Sequence, residues 1–264
     1  MHWLKRSSQF RILAGLLAFV LAIVVSPMVH AQPQPTSISS RIPSTWTASF
    51  EPPPGSGSPD NRQGGATRSP CIKDKDLYAL VPPSGIGATA SPYPALFWYL
   101  PQTRASSMEF ELVDENNKQL YSKKLAIAPG QSGIMNLRLP TDASLLPLEI
   151  GKQYHWDLRL LCGEKQISED PIGEEQISVS VSIKRVEKVA NLASQINQAT
   201  PQERVAIYAK AGFWYETVAS LFDLRRLYPN NRDLTEAWTK LLKSVELNEI
   251  AEEPLVANAV SPSS

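Results

Sequence analysis

The stretch YHWDLRLLC, residues 154–162, alternates apolar and polar side chains with a period of two, and it decides the fold class of this region. In an extended chain, one face would carry Tyr154, Trp156, Leu158, Leu160 and Cys162. The opposite face would carry His155, Asp157 and Arg159. A shift of one residue would bury two charged groups, so the pattern predicts a half-buried strand with Trp156 in the core and His155 exposed.

The same period recurs between residues 71 and 186, where turn-forming residues separate short apolar runs. Asn116-Asn117 separates two of the runs, and asparagine tolerates the positive φ of tight hairpin turns. The predicted strands besides 154–162 are Ala95–Leu100, Met108–Asp114, Gln119–Ile127, Ile134–Leu139 and 177–184. No helix-length period interrupts them. We therefore expect an antiparallel β-sandwich of immunoglobulin or fibronectin type over residues 71–186.

The period becomes helical after residue 186, and residues 187–252 are predicted to be α-helical. Thr200-Pro201-Gln202-Glu203 has the residues of a capping box, with Thr as the N-cap and Pro at the first helical position. A helix through Trp214 should end at Pro229-Asn230, and a further helix should begin near Asp233. The fold class is therefore α+β, an antiparallel β-sandwich followed by a short α-helical bundle.

One helical hairpin resembles the second half of a tetratricopeptide repeat. Its matching residues are Tyr208, Gly212, Trp214, Leu221, Leu224 and Pro229. Thr217 stands where a small alanine is usual, and only one copy is present, whereas about three are needed for a superhelix. The alternative is a simple helical hairpin packed on the sandwich. Residues 253–264 are expected to be a flexible tail.

The N-terminal residues predict export from the cytoplasm. Basic residues precede an apolar run from Ile12 to Val25, and Val29-His30-Ala31 has the small residues of a signal-peptidase site. We therefore interpret residues 1–31 as a signal peptide whose removal leaves no stable membrane anchor. Residues 32–70 are rich in Pro, Ser and Gly, which predicts a disordered leader. The expected location is periplasmic or extracellular.

The chain contains two cysteines, Cys71 and Cys162. An even pair in an exported protein favours a disulfide over two free thiols. The second cysteine also lies on the predicted core face of its strand. We therefore predict that the two are joined.

The composition contains little that points to catalysis. With 26 basic and 26 acidic residues the chain lacks the positive charge that nucleic-acid binding requires. After signal cleavage His155 would be the remaining histidine, and no G-x-S-x-G motif presents a serine. Three adjacent carboxylate pairs would point to opposite faces of an extended chain: Asp114-Glu115, Glu169-Asp170 and Glu174-Glu175. We therefore expect no catalytic, cofactor-binding or metal-binding residues.

The aromatic clusters are the best candidates for a binding surface. Phe97-Trp98-Tyr99 and Phe213-Trp214-Tyr215 contain three aromatic residues each. Aromatic rings on more than one face of the helical part would leave Trp214 and Tyr215 exposed for a sugar or a partner protein. The alternative is that these rings build the sandwich core and the interface between sheet and helices.

Several motifs together resemble a family of secreted cyanobacterial proteins known as domain-of-unknown-function family 928. The resemblance covers roughly residues 62–254, with Ser69-Pro70 departing from the usual glycine. The motifs are Gly64-Gly65-Ala66-Thr67-Arg68, Leu80-Val81-Pro82, residues 94–101, Tyr154-His155-Trp156 with Cys162, residues 208–215, and Trp238 with Leu241-Leu242. The resemblance implies an exported domain and a cyanobacterial source, and it brings no catalytic residues.

Together these observations predict an exported, non-catalytic binding or structural module of the cell envelope. Its expected partner is a protein or an envelope polysaccharide, and it needs no cofactor. The alternative is a carboxylate-dependent, carbohydrate-active hydrolase, because two placed acids suffice for glycoside hydrolysis.

Overall fold

The computed structural model describes Phe50 and residues 61–64, 71–162, 177–188 and 190–256. The predicted signal peptide, residues 1–31, lies outside the described residues. Within them, no helix is both long enough and apolar enough to cross a membrane.

The described residues form eleven strands in three open sheets. In chain order the strands are β1 (Gln63–Gly64), β2 (Ile72–Lys73), β3 (Leu77–Ala79), β4 (Ile86–Thr89), β5 (Ala95–Leu100), β6 (Gln102–Thr103), β7 (Ser107–Asp114), β8 (Gln119–Ala126), β9 (Gly133–Arg138), β10 (Gln153–Leu161) and β11 (Ile177–Arg185). The sheet orders are β1-β3-β5-β9, β4-β11-β10-β7-β8 and β2-β6. All six strands predicted from the period of two are therefore present, with bounds shifted by at most one residue.

One strand pair departs from the expected antiparallel arrangement. β4 pairs with β11 in parallel, with Ser182 opposite Ile86. The two strands are separated in the chain by six others, so no tight hairpin dictates their direction. β4 was not predicted, because Ile86-Gly87-Ala88-Thr89 is buried throughout and has no alternating pattern.

β10 has the predicted orientation at Trp156. The side chain of Trp156 is fully buried, opposite Leu112 of β7 and Val181 of β11. His155 was predicted to be exposed, but it is half-buried, because its Nδ1 lies 3.0 Å from the Ser182 hydroxyl on the neighbouring strand. The hairpin between β7 and β8 turns at Asn117, whose φ of 59° confirms the predicted turn.

The predicted disordered leader contains ordered residues that join two sheets. The backbone carbonyl of Arg62 accepts a hydrogen bond from Ala79 of β3, and that of Asn61 accepts one from Ser180 of β11, both at 2.8 Å. A Cβ at position 64 would lie 2.1 Å from the Ser178 carbonyl oxygen, so only glycine fits beside β11. The leader prediction is therefore wrong for residues 61–64, because backbone hydrogen bonds order a segment that has few apolar side chains.

The described helices are α1 (Ala190–Gln198), α2 (Pro201–Lys210), α3 (Trp214–Leu227) and α4 (Arg232–Ser244), followed by a 3₁₀ turn at Asn248–Ile250. The predicted capping box at the start of α2 is confirmed: Thr200 accepts from the backbone of Glu203, whose carboxylate accepts from the backbone of Thr200. α3 packs against β5 through Phe222 and Phe97, whose ring centres are 5.1 Å apart. Thr217 is buried and donates its hydroxyl to the Phe213 carbonyl at 2.7 Å, which satisfies a polar group where alanine is usual.

The first residues of the expected flexible tail pair with a strand. Ile134 of β9 donates to the Pro254 carbonyl at 2.8 Å and accepts from Val256 at 2.9 Å. Leu255 thereby forms a parallel bridge beside β9. The expectation is wrong for residues 253–256, because the unpaired edge of β9 offers hydrogen-bonding groups that a proline-containing segment can still use.

Cys71 and Cys162 form the predicted disulfide, with their Cα atoms 5.7 Å apart. The bond connects the residue before β2 with the residue after β10. Cys71 is buried and Cys162 is half-buried, so the bond lies at the margin of the core.

Candidate functional site

Trp214 and Tyr215, the predicted exposed binding surface, are buried. Their side chains are 0% and 1% exposed, respectively. The first turn of α3 approaches β4 so closely that a Cβ at Gly87 would lie 2.5 Å from the Tyr215 ring. The prediction of an exposed aromatic surface is therefore wrong. The helical period shows which residues share a face, but it does not show that α3 is covered on several sides.

The two aromatic residues connect the helices to the strands. The indole of Trp214 donates to the Leu80 carbonyl at 2.7 Å. The indole of Trp156 donates to the Tyr215 hydroxyl at 3.1 Å, and that hydroxyl donates to the Ser182 carbonyl at 3.4 Å. Phe50 packs edge-on against Trp214, with ring centres 4.9 Å apart. These residues form the interface between sheet and helices that the alternative interpretation expected.

Glu216, the next residue of α3, is a largely buried carboxylate. Its Oε1 accepts hydrogen bonds from the Thr89 hydroxyl and the Ala90 amide, both at 2.8 Å. Its Oε2 is buried and has no hydrogen-bond partner among the described residues. Burial raises the pKa of Glu216 above its ordinary value, because the charged form loses hydration. The group attaches α3 to the end of β4, and it does not line the groove described below.

The outer face of the five-stranded sheet contains a polar groove of about 300 Å³, here called the outer-face groove. It crosses β7, β8 and β10, and its lining includes Glu109, Glu111, Ser122, Lys124, Asp157 and Arg159. Register places these side chains in two rows. Arg159, Glu109 and Lys124 are opposite one another in the first row, and Asp157, Glu111 and Ser122 in the second.

The two carboxylates of the second row are direct cross-strand neighbours. Such neighbours have Cβ atoms about 4.5–5.5 Å apart, and like charges at this position disfavour folding. Glu109 forms an ion pair with Arg159 at 3.8 Å, but Glu111 and Asp157 have no ion-pair partner among the described residues. Both are half-buried. The two carboxylates offer acceptor oxygens to a hydroxyl, ammonium or guanidinium group of a ligand.

This pair does not show as a sequence motif, because its two acids are not adjacent in the chain. Glu111 and Asp157 are 46 residues apart, and only strand register brings them together. Of the adjacent pairs, Glu169-Asp170 and Glu174-Glu175 lie outside the described residues. Asp114 instead accepts backbone hydrogen bonds from Lys118 and Asn116, which lower its pKa. The available signal was the alternation of β7 and β10, which places both acids on outward faces.

The described residues offer little for metal binding or for catalysis by histidine. They contain no group of three or more His, Cys, Asp or Glu residues that could hold a metal ion. His155 lies two residues before Asp157 along β10, on the same outward face, but it contacts Ser182. Its ring therefore has a structural partner on β11.

A family model for a Domain of Unknown Function, DUF928, matches residues 63–255. The chain belongs to the DUF928 family. The matched range begins at the first residue of β1 and ends at Leu255, so the DUF928 domain includes the last residues of the expected leader and the first residues of the expected tail. None of the curated proteins compared with the chain matches it.

Proposed function

We propose that this DUF928 protein is an exported, non-catalytic binding module of the cell envelope, with the outer-face groove as its ligand site. Its partner is a protein or an envelope polysaccharide that offers hydrogen-bond donors or positive charge. Glu111 and Asp157 carry the proposal, since they are neighbouring, half-buried carboxylates with no ion-pair partner among the described residues. A bound donor would offset their mutual repulsion.

We also propose how the two larger sheets are arranged and where in the cell the protein acts. We propose that the two larger sheets pack face to face as an immunoglobulin-like sandwich, supported by the single buried cluster to which both contribute. Export and a cyanobacterial source are supported by the sequence of residues 1–31 and by the resemblance described above. Mass spectrometry of the chain recovered from outside the cytoplasm tests this, because the expected product begins at Gln32.

Calorimetric titration tests the ligand site. The probes are an amino-sugar oligosaccharide, which carries ammonium and hydroxyl groups, and a lysine-rich peptide, which carries ammonium groups alone. Charged hydrogen bonds contribute about 1.5–3 kcal/mol each, so Asp157→Asn or Glu111→Gln should weaken binding about tenfold or more. The matched control is Glu236→Gln, an exposed carboxylate on α4.

The control variant should bind like the wild type, and added salt should weaken both interactions. Binding of the oligosaccharide alone would identify a polysaccharide partner, and binding of the peptide alone a protein partner. Failure of both probes to bind the wild type, or equal losses in the control, would contradict the proposal.

The second candidate function is glycoside hydrolysis by Glu111 and Asp157. Retaining glycosidases hold two carboxyl groups about 5–5.5 Å apart, a separation that cross-strand neighbours can reach. Release of reducing ends from a polysaccharide, abolished by both Glu111→Gln and Asp157→Asn, would support this function. The same release from the Glu236→Gln variant would show that the control acid takes no part.

A further inference from the structure

Residues 253–256, here called the edge segment, lie along the outer edge of the four-stranded sheet. β9 is the last strand of that sheet, and β5 pairs with it on the inner side. Ile134 of β9 directs its backbone N–H and carbonyl away from β5. The Pro254 carbonyl accepts from that N–H at 2.8 Å, and the Val256 N–H donates to that carbonyl at 2.9 Å. The edge segment therefore takes the place of a further strand beside the first residues of β9.

Three contacts fit the edge segment to its position. A Cβ at Gly133 would lie 2.5 Å from the Pro254 carbonyl oxygen, so the close approach of the segment requires glycine there. Lys75 forms an ion pair with Glu253, which fixes the start of the segment. The half-buried side chain of Leu255 packs against the core. The segment is therefore held by backbone, charged and apolar contacts together.

The sequence of β9 itself does little to discourage pairing with another chain. Asn136 and Arg138 present their backbone groups in the same direction as Ile134, because the hydrogen-bonding direction alternates along a strand. No described residue bonds to those backbone groups on the outer side. β9 lacks proline, and its one charged residue, Arg138, pairs with Asp223 at 2.6 Å. Native proteins usually charge, interrupt or cover such an edge, and here the edge segment covers it.

We propose that the edge segment protects β9 from a second copy of this chain, and that without the segment the β9 strands of two copies pair. Antiparallel pairing about Asn136 would place Arg138 of one copy opposite Ile134 of the other, so like charges would not meet. It would also give the backbone groups of Ile134 new partners. With the segment in place, the unpaired stretch is Asn136–Arg138, which is short for a strand pair. The proposal concerns the four-stranded sheet and does not depend on the outer-face groove.

Sedimentation equilibrium of shortened chains tests this proposal. A chain that ends at Glu252 lacks the edge segment, and it should sediment with about twice the mass of one copy. A chain that ends at Ala257 keeps the segment and is the matched control, which should sediment as a monomer, like the unshortened protein. Asn136→Pro in the chain that ends at Glu252 should restore the monomer. This substitution removes an N–H that points away from β5, so the bonds between β5 and β9 remain.

A synthetic peptide can supply the edge segment in trans. The peptide Ala-Glu-Glu-Pro-Leu-Val, which is residues 251–256, should bind the chain that ends at Glu252 and convert its dimer to a monomer. A peptide with the same residues in reverse order is the control and should leave the dimer intact. Lysine in place of Glu253 in the peptide should weaken its effect severalfold, because that residue meets Lys75.

A folded, monomeric chain that ends at Glu252 would overturn the proposal, and so would a dimer that persists in the Asn136→Pro variant. A dimer of the unshortened protein that is lost on shortening would also overturn it, because the segment would then be exchanged between copies. Thermal melting identifies any variant that unfolds. If the shortened chain does, Gly133→Ala in the unshortened protein displaces the segment without deleting it. That variant should dimerise more than Gly130→Ala, where the space is open, and equal masses would refute the proposal.

Discussion

Removing the hydroxyl of Tyr215 should destabilise the protein, although the substitution to phenylalanine is conservative. The hydroxyl accepts from the Trp156 indole at 3.1 Å and donates to the Ser182 carbonyl at 3.4 Å. Trp156 is 0% exposed, so its N–H would be left without this acceptor in the core. A buried donor left unsatisfied costs about 1–3 kcal/mol, and Tyr215→Phe should lower the free energy of unfolding by that amount.

Equilibrium urea unfolding, followed by tryptophan fluorescence, measures this effect. The matched control is Tyr208→Phe on α2, since the Tyr208 hydroxyl has no hydrogen bond among the described residues. That variant should remain within about 0.5 kcal/mol of the wild type. In a background of Trp156→Phe, the donor is absent, so Tyr215→Phe should cost less, with a coupling energy of about 0.5–3 kcal/mol.

Identical unfolding midpoints for Tyr215→Phe, Tyr208→Phe and the wild type would refute the hydrogen bond between Tyr215 and Trp156. Loss of ligand binding with unchanged stability would restore Tyr215 to an exposed surface and contradict its burial.

Three further predictions concern the disulfide, a glycine and a buried acid. Replacing Cys71 and Cys162 together with serine should lower the free energy of unfolding by about 4–5 kcal/mol, because the bond closes a 91-residue separation; unchanged urea midpoints would contradict this. Gly133→Ala should cost about 1–3 kcal/mol, since a carbonyl lies 2.5 Å from its Cβ position at a φ of +130°. Thermal melting should show a smaller loss for Gly130→Ala, where the space is open. Burial raises the pKa of Glu216, so the folded state binds its proton more tightly and loses stability as the pH rises above the ordinary 4.5. Urea titrations between pH 4 and 7 should show this loss in the wild type but not in Glu216→Gln, and parallel profiles would argue against it.

Residues with strong local patterns were predictable from the sequence. The alternation in Tyr154–Cys162 has one register that leaves Asp157 and Arg159 outside the core, and the observed strand follows it. Thr200 and Glu203 satisfy each other within one helical turn, so their capping box needs no tertiary information. The disulfide was also predictable, because two cysteines allow one pairing.

Residues whose structure depends on distant partners were not predictable in the same way. Gln63 and Gly64 form a strand only because β3 is beside them. Tyr215 lies on a helix whose neighbours on several sides come from remote parts of the chain. The carboxylates Glu111 and Asp157 of the proposed ligand site are neighbours because of the register between β7 and β10. A single sequence does not determine that register.

Residues 61–64, which join the two larger sheets, include one residue whose contacts depend on the far end of the chain. The guanidinium of Arg62 donates to the Val81 carbonyl at 3.0 Å and to the Val245 carbonyl at 2.7 Å, across a separation of 183 residues. Contacts of such long sequence separation carry a large loop-closure entropy and slow folding. The contacts of Arg62, the residue before β1, therefore cannot be complete until Val245, which follows α4, has been synthesised and has docked. In the exported protein proposed above, this contact would form outside the cytoplasm, between a residue that crosses the membrane early and one that crosses it late.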